Sequence, residues 1–148
     1  MSQPGEWGCA VGMVIFRDEL CREVLLGVKD RKSSKSRAGQ EGFLAETVMS
    51  EINEEIFEAI ARGAWEEGHL KVKWQRYLGV NVTARGTHVY WYECYALNPD
   101  EAAHGSDIES LRWASISEVV ERFNEEAFRS LPYGVKAMLE SYVSRAAS

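Results

Sequence analysis

The chain has 148 residues, of which 45% are hydrophobic and 27% are charged, and its formal net charge is −6 at pH 7. This length and composition are typical of one soluble globular domain, which we predict to span residues 1–148. The negative charge argues against a general nucleic-acid binder and against a protein that binds acidic membranes.

The N-terminus and the cysteines favour a cytoplasmic protein. Residues 1–6 lack the basic start and apolar run of a secretory signal, and no stretch has the length needed to cross a bilayer. The three cysteines are odd in number and have no paired spacing, and Cys9 and Cys94 lie in apolar runs. We therefore expect Cys9 and Cys94 to be buried thiols, and we expect neither a disulfide framework nor a zinc site.

The first third of the chain is predicted to form strands around one long loop. Apolar runs at residues 9–16 and 23–28, separated by a polar turn, are typical of paired strands. Residues 29–42 are rich in charge, Ser and Gly and are predicted to form a loop, and residues 43–45 a brief strand.

A helix is predicted next, from about residue 53 to residue 67, and its pattern begins near residue 50. Ile52, Ile56 and Ile60 recur every four residues, and we expect them to face the core together with Ala64. Gly68 is the predicted stop. Polar residues spaced four, three, four and four apart line one face of this segment: Glu51, Glu55, Glu58, Arg62 and Glu66.

The rest of the chain is predicted to be mostly strand and then helix. Strands are expected at 70–74, 77–82, 88–97 and 111–114, and helices at 117–123 and 132–144. This order predicts an α+β fold in which a mixed β-sheet lies between helices, as an α/β/α sandwich.

A basic segment precedes the acidic helix, with cations at Arg31, Lys32, Lys35 and Arg37. One interpretation is a solvated loop followed by a solvated helix face. The other is a loop that meets an anionic ligand beside the helix.

The central helix resembles the box of the Nudix hydrolases, in which a Gly and a Glu precede the run Arg-Glu-apolar-x-Glu-Glu-x-Gly-apolar. Aligned without gaps, this chain supplies Glu54, Arg62, Ala64, the pair Glu66 and Glu67, and then Leu70. Residues 24–28 and 111–118 resemble flanking elements of the family and lie in register with the box. Trp65 stands where some diphosphoinositol polyphosphate phosphohydrolase relatives carry a Trp.

The resemblance implies the Nudix fold and the hydrolysis of a diphosphate linked to another group, with a small molecule as substrate. It implies that Glu66 and Glu67 bind Mg²⁺ or Mn²⁺ and that Arg62 with Glu54 supports them. It also implies that the four basic residues listed above meet the phosphates.

Three departures from the box keep other functions open. Val48 replaces the first Gly, Gly63 replaces the first Glu of the run, and His69 replaces the last Gly. The missing carboxylate at Gly63 predicts weak metal binding, or none. The alternatives are a small-molecule enzyme that works without the metal site, a non-catalytic binding or regulatory protein and, ranked last, a purely structural interaction domain. The glycine at position 63 either arose by drift after loss of activity or leaves room for a substrate atom that a Glu side chain would block.

Two other regions contain candidates. Glu93 lies between Trp91 and Tyr95 on one face of a strand, so we expect it to point into a binding cleft as a general acid or base, with Trp91 in contact with substrate. The loop carboxylates Asp100, Glu101, Asp107 and Glu109 lie where some family members add a carboxylate. The oligomeric state is left open, with a homodimer among the alternatives.

Overall fold

A computed structural model describes residues 8–31 and 38–147, without the side chain of Glu51. The strands are, in chain order, β1 (Cys9–Phe16), β2 (Glu23–Lys29), β3 (Glu41–Gly42), β4 (Leu44–Thr47), β5 (Val72–Val82), β6 (His88–Ala96) and β7 (Ile108–Ser115). The helices are α1 (Ile56–Gly68), α2 (Ile116–Glu121), α3 (Glu126–Arg129) and α4 (Tyr133–Ala147). Short 3-10 turns lie at Ser50–Ile52 and Pro99–Glu101.

The strands form one mixed sheet in the order β3-β2-β1-β6-β5, with β4 paired to β1 and β7 paired to β2. β1 and β6 are parallel, and the other pairs are antiparallel. β1 meets β2 only at Phe16 and Val24, because β4 pairs with β1 from Ala10 to Met13. The sheet therefore opens between β1 and β2, with β3 on the β2 side of the opening and β4 on the β1 side.

The alternation of side chains along the strands builds two apolar layers. In β1, Val14 and Phe16 face one layer, which is completed by α2, α3 and α4. Val11, Met13 and Ile15 face the other layer, which α1 covers. The predicted α+β architecture, a mixed sheet between helices, is therefore confirmed.

The helix α1 begins later than the sequence pattern predicts. Asn53 has a left-handed backbone (φ 57°), which interrupts the helical pattern. The helix starts after Glu55, whose side chain forms a reciprocal capping box with Glu58, and it ends at Gly68, before His69 (φ 52°). Ile52 lies before the helix and is 67% exposed, so its predicted place in the core is wrong, whereas Ile60 is buried as expected.

Several other predicted boundaries change. The strands expected at 70–74 and 77–82 form the single strand β5, with pairing irregularities between Trp74 and Arg76 and between Tyr77 and Gly79. The strand expected at 111–114 is longer, and α3 has no counterpart in the prediction. The irregularities explain the apparent break, because an extra residue in a strand disturbs its alternation.

Two of the three cysteines are buried. Cys21 and Cys94 are buried, Cys9 is only half-buried, and all three are free thiols. In the described parts of the chain, none of the helices combines the length and apolar character that crossing a membrane requires.

Candidate active site

Arg62 of α1 is the centre of a group of ion pairs that ties the helix to β4. Its guanidinium donates to both carboxylate oxygens of Glu54, from Nε to Oε2 at 2.8 Å and from Nη2 to Oε1 at 3.0 Å. Nη2 also donates to the backbone oxygen of Thr47 at 2.7 Å. The hydrogen bonds from Arg62 stabilise the ionised carboxylate and thereby lower the pKa of Glu54.

Two further carboxylates share the remaining nitrogen of this guanidinium. Nη1 of Arg62 lies 3.4 Å from Oε1 of Glu46, on β4, and 3.3 Å from Oε2 of Glu66, on α1. The Glu46 side chain is 16% exposed, whereas that of Glu66 is 55% exposed. One cation therefore stands between carboxylates from two elements, and the group as a whole is negatively charged.

A pocket of about 270 Å³ lies beside this group, at the C-terminal half of α1. Its lining consists of four carboxylates, two rings and a hydroxyl: Glu46, Glu66, Glu67, Asp107, Trp65, His69 and Ser106. The loop before β7 closes over the helix end, since the N–H of Gly105 donates to the oxygen of Glu67 at 3.1 Å. This contact brings Asp107 to the pocket, which we call the acidic pocket.

A second cavity, of about 60 Å³, lies in the opening of the sheet, and Glu67 lines it as well. Phe43 and Trp91 supply aromatic walls, and the indole N–H of Trp91 donates to Oδ1 of Asn81 at 2.7 Å. Gln40, also in the lining, has a buried Oε1 with no hydrogen-bond partner among the described residues. The cavity, which we call the aromatic cavity, thus combines flat apolar walls with an acceptor for a ligand N–H.

Gly63 faces β4, and its missing side chain leaves space that the protein itself fills. A Cβ at this position lies 2.7 Å from Cβ and 3.1 Å from Cγ of Glu46, and 3.2 Å from Cε of Met13. The glycine therefore permits close packing of α1 on β4. Glu46 occupies the volume beside Gly63, and a contact between Gly63 and a substrate stays a prediction.

The acidic pocket has the donor chemistry of a site for a hard divalent cation, since carboxylate oxygens are the ligands that Mg²⁺ and Mn²⁺ prefer. Within residues 8–31 and 38–147, however, no three His, Cys, Asp or Glu side chains are arranged to hold a metal ion. Glu46 and Glu66 instead pair with Arg62. The oxygen donors fit such a cation, and binding requires carboxylates of the acidic pocket to move closer together.

The predicted phosphate-binding residues are only partly described. Arg31 is largely exposed and pairs with Glu109, with 3.3 Å between Nε and Oε1. The neighbouring Asp30 donates its N–H to the backbone oxygen of Asp107 at 3.0 Å, so this strand end lies beside the acidic pocket. Lys32, Lys35 and Arg37 lie outside the described residues.

Glu93 lies apart from the box carboxylates. It is 1% exposed and accepts hydrogen bonds from Nε of Arg76 at 3.0 Å, from the hydroxyl of Tyr142 at 3.1 Å and from the hydroxyl of Tyr95. Burial, together with the hydrogen bonds to Cys21 and Glu93, raises the pKa of Tyr95. β6 turns the Glu93 side chain toward α4, where these donors enclose it, and its role as a general acid or base stays a prediction.

Sequence reasoning missed Glu46, although a signal was present. Leu44 and Val48 are two residues away on either side, and both are buried beneath α1. Strict alternation places residue 46 on the same face as these two. A carboxylate between two core positions and directly before the box was therefore a candidate site residue.

No protein-family model matches the chain, and no curated protein matches it. Solved structures do match. A NUDIX hydrolase from Nitrosomonas europaea superposes with a TM-score of 0.73 at 20% identity, covering 95% of this chain and 73% of that one. The MutT protein from Methanosarcina mazei Go1 gives 0.66 at 20% identity, covering 100% and 99% of the two chains. A C. elegans Ap4A hydrolase gives 0.66 at 15% identity, covering 93% and 98%. The chain therefore has the Nudix fold.

Proposed function

We propose that the protein is a Nudix-type hydrolase that cleaves a diphosphate linked to another group, with Mg²⁺ or Mn²⁺ as cofactor. The observation that carries this proposal is the position of Glu67, which lines both the acidic pocket and the aromatic cavity. A substrate that places its diphosphate in the acidic pocket and its other group in the aromatic cavity has its scissile bond near Glu66 and Glu67. Aromatic walls with a small number of placed polar groups are typical of small-molecule sites.

The residues of the box have different roles in this proposal. Glu66 and Glu67 hold the cation, which when bound neutralises phosphate charge and lowers the pKa of a bound water. Arg62 holds α1 and β4 at a fixed separation through Glu54 and Thr47. Trp91 and the side-chain amides of Asn81 and Gln40 line the aromatic cavity and orient the group that is linked to the diphosphate. Arg31 and the basic residues that follow it are the proposed phosphate contacts, because this strand end lies beside the acidic pocket.

The test is Glu67→Gln, with Glu140→Gln on the exposed side of α4 as its matched control. Phosphate release is measured from a panel of nucleoside diphosphates and their conjugates in Mg²⁺ and in Mn²⁺. We expect Glu67→Gln to lose about tenfold to a hundredfold of kcat/KM, as a lost metal-site partner does. The control should match the parent. Equal rates for Glu67→Gln and the parent would remove this carboxylate from the reaction.

Gly63 favours a second candidate function. The box loses a carboxylate there, and no three His, Cys, Asp or Glu side chains among the described residues are arranged to hold a metal ion. Both observations support a Nudix-fold protein that binds or transforms a small molecule without a metal, as an enzyme or as a regulatory binding protein. Repeating the panel in EDTA separates the two candidates. Metal-dependent turnover supports the hydrolase, whereas ligand-induced thermal stabilisation or turnover that EDTA leaves unchanged supports the second candidate.

A further inference from the structure

We propose that Glu46 on β4 replaces the acidic side chain that the Nudix box has at position 63, and that it acts as a positioning residue for Arg62. The carboxylate has moved from the helix to the facing strand, and Gly63 makes the space that it needs. This inference rests on the proposed hydrolase function. It also makes a separate claim about how residues 46 and 63 share one volume.

The spatial evidence is the contact between the two positions. A Cβ on residue 63 lies 2.7 Å from Cβ of Glu46, closer than real Cβ contacts allow. Cβ of Glu46 is fixed to the strand backbone and cannot rotate away, as the end of a flexible side chain could. Any side chain at 63 therefore excludes Glu46 from its present position. The two acidic positions are alternatives in this packing.

The location of Glu46 supports a role beyond surface charge. Its neighbours on the same strand face, Leu44 and Val48, are buried beneath α1. A carboxylate on this face is costly unless it is paired. Oε1 of Glu46 has two partners: it lies 3.4 Å from Nη1 of Arg62 and accepts the N–H of Thr47 at 3.2 Å.

The electrostatic consequence falls on Glu66. Nη1 of Arg62 lies at nearly equal distances from Glu46 and Glu66, 3.4 and 3.3 Å, so the two carboxylates compete for one cation. Without the charge of Glu46, Arg62 pairs more fully with Glu66 and draws it away from a divalent cation. With that charge, Glu66 stays available in the acidic pocket. Glu46 thus acts through Arg62 and need not touch the substrate.

The first experiment separates charge from shape. Glu46→Gln keeps the side-chain volume and removes its charge, and Glu140→Gln is the control. Calorimetry with Mg²⁺ alone should show a loss of affinity of about tenfold or more for Glu46→Gln and no change for the control. Hydrolysis should fall through kcat and not through KM. Equal Mg²⁺ affinity for Glu46→Gln and the parent overturns the electrostatic role.

The second experiment is a cycle of Glu46→Gly, Gly63→Glu and the double variant. Thermal and urea denaturation are followed in metal-free buffer. We expect Gly63→Glu to lower Tm by about 4 °C or more, and we expect the double variant to regain most of this loss. The double variant should also recover Mg²⁺ binding relative to both single variants. A double variant no more stable than Gly63→Glu overturns the exchange.

The two claims fail in different ways. If the parent shows neither Mg²⁺ binding nor hydrolysis, the proposed function fails. The metal-free cycle then still decides whether residues 46 and 63 exchange one volume. If the parent hydrolyses diphosphates and the double variant shows no rescue in stability or in Mg²⁺ binding, the function stands and the role of Glu46 is refuted.

Discussion

The substitution Gly63→Ala sets two effects of known size against each other. In an isolated helix the change stabilises by about 1 kcal/mol, because glycine is a poor helix former. Here the new methyl group meets Cβ of Glu46 at 2.7 Å and Cε of Met13 at 3.2 Å. Extra methyl groups in a packed site cost about 1–3 kcal/mol. Because Cβ of Glu46 is attached to the strand backbone, we expect the steric cost to prevail and the free energy of unfolding to fall by up to about 2 kcal/mol.

Urea denaturation measures this balance, with Gly68→Ala in the same helix as the matched control. A Cβ at Gly68 makes only ordinary contacts, the nearest at 3.6 Å to Cδ2 of Leu25. Gly68→Ala should therefore leave the stability unchanged or raise it by up to about 1 kcal/mol. For Gly63→Ala we expect the urea midpoint to fall by up to about 1 M. A rise in the midpoint of Gly63→Ala, equal to that of the control, would falsify the close-packing argument.

Three further predictions concern the ion pairs and hydrogen bonds of Glu54 and Glu93. Arg62→Ala leaves the buried carboxylate of Glu54 without its main partner and should cost about 1–3 kcal/mol in urea denaturation; an unchanged midpoint contradicts this. Since the pKa of Glu54 is lowered on folding, its pairing stabilises fully above the unfolded pKa of about 4.3 and is lost as pH falls through the folded pKa. Stability should therefore fall more steeply below pH 5 in the parent than in Arg62→Ala, and parallel curves refute the assignment. Tyr142→Phe removes a hydrogen-bond donor to Glu93 and should lower the free energy of unfolding by about 1.5–3 kcal/mol. The rate of hydrolysis should not change. A loss of hydrolysis without a loss of stability would instead support the predicted acid or base role of Glu93.

The element types followed from short-range patterns, and the errors arose at single residues. Alternating apolar residues predicted β1, and a spacing of four residues predicted the body of α1, because these periods are properties of the backbone itself. The start of α1 was placed too early because Asn53 takes a left-handed conformation. Ile52 kept the helical spacing and yet lies outside the helix, since the isoleucine period alone carries no information on where the backbone turns.

In the candidate site, too, local features could be predicted from the sequence, whereas contacts between distant residues could not. The local sequence pattern was enough to predict that Arg62 and Glu66, four residues apart, share one face of a helix and that Glu54 precedes it, because a helix fixes such neighbours locally. The local pattern did not predict that Glu46 fills the volume beside Gly63 or that Glu93 faces α4 on the far side of the sheet; both became evident from the fold. These placements depend on how closely two elements approach and on which sheet face a helix covers. Both are set by packing between residues far apart in the chain, and local sequence periodicity carries no information on such contacts.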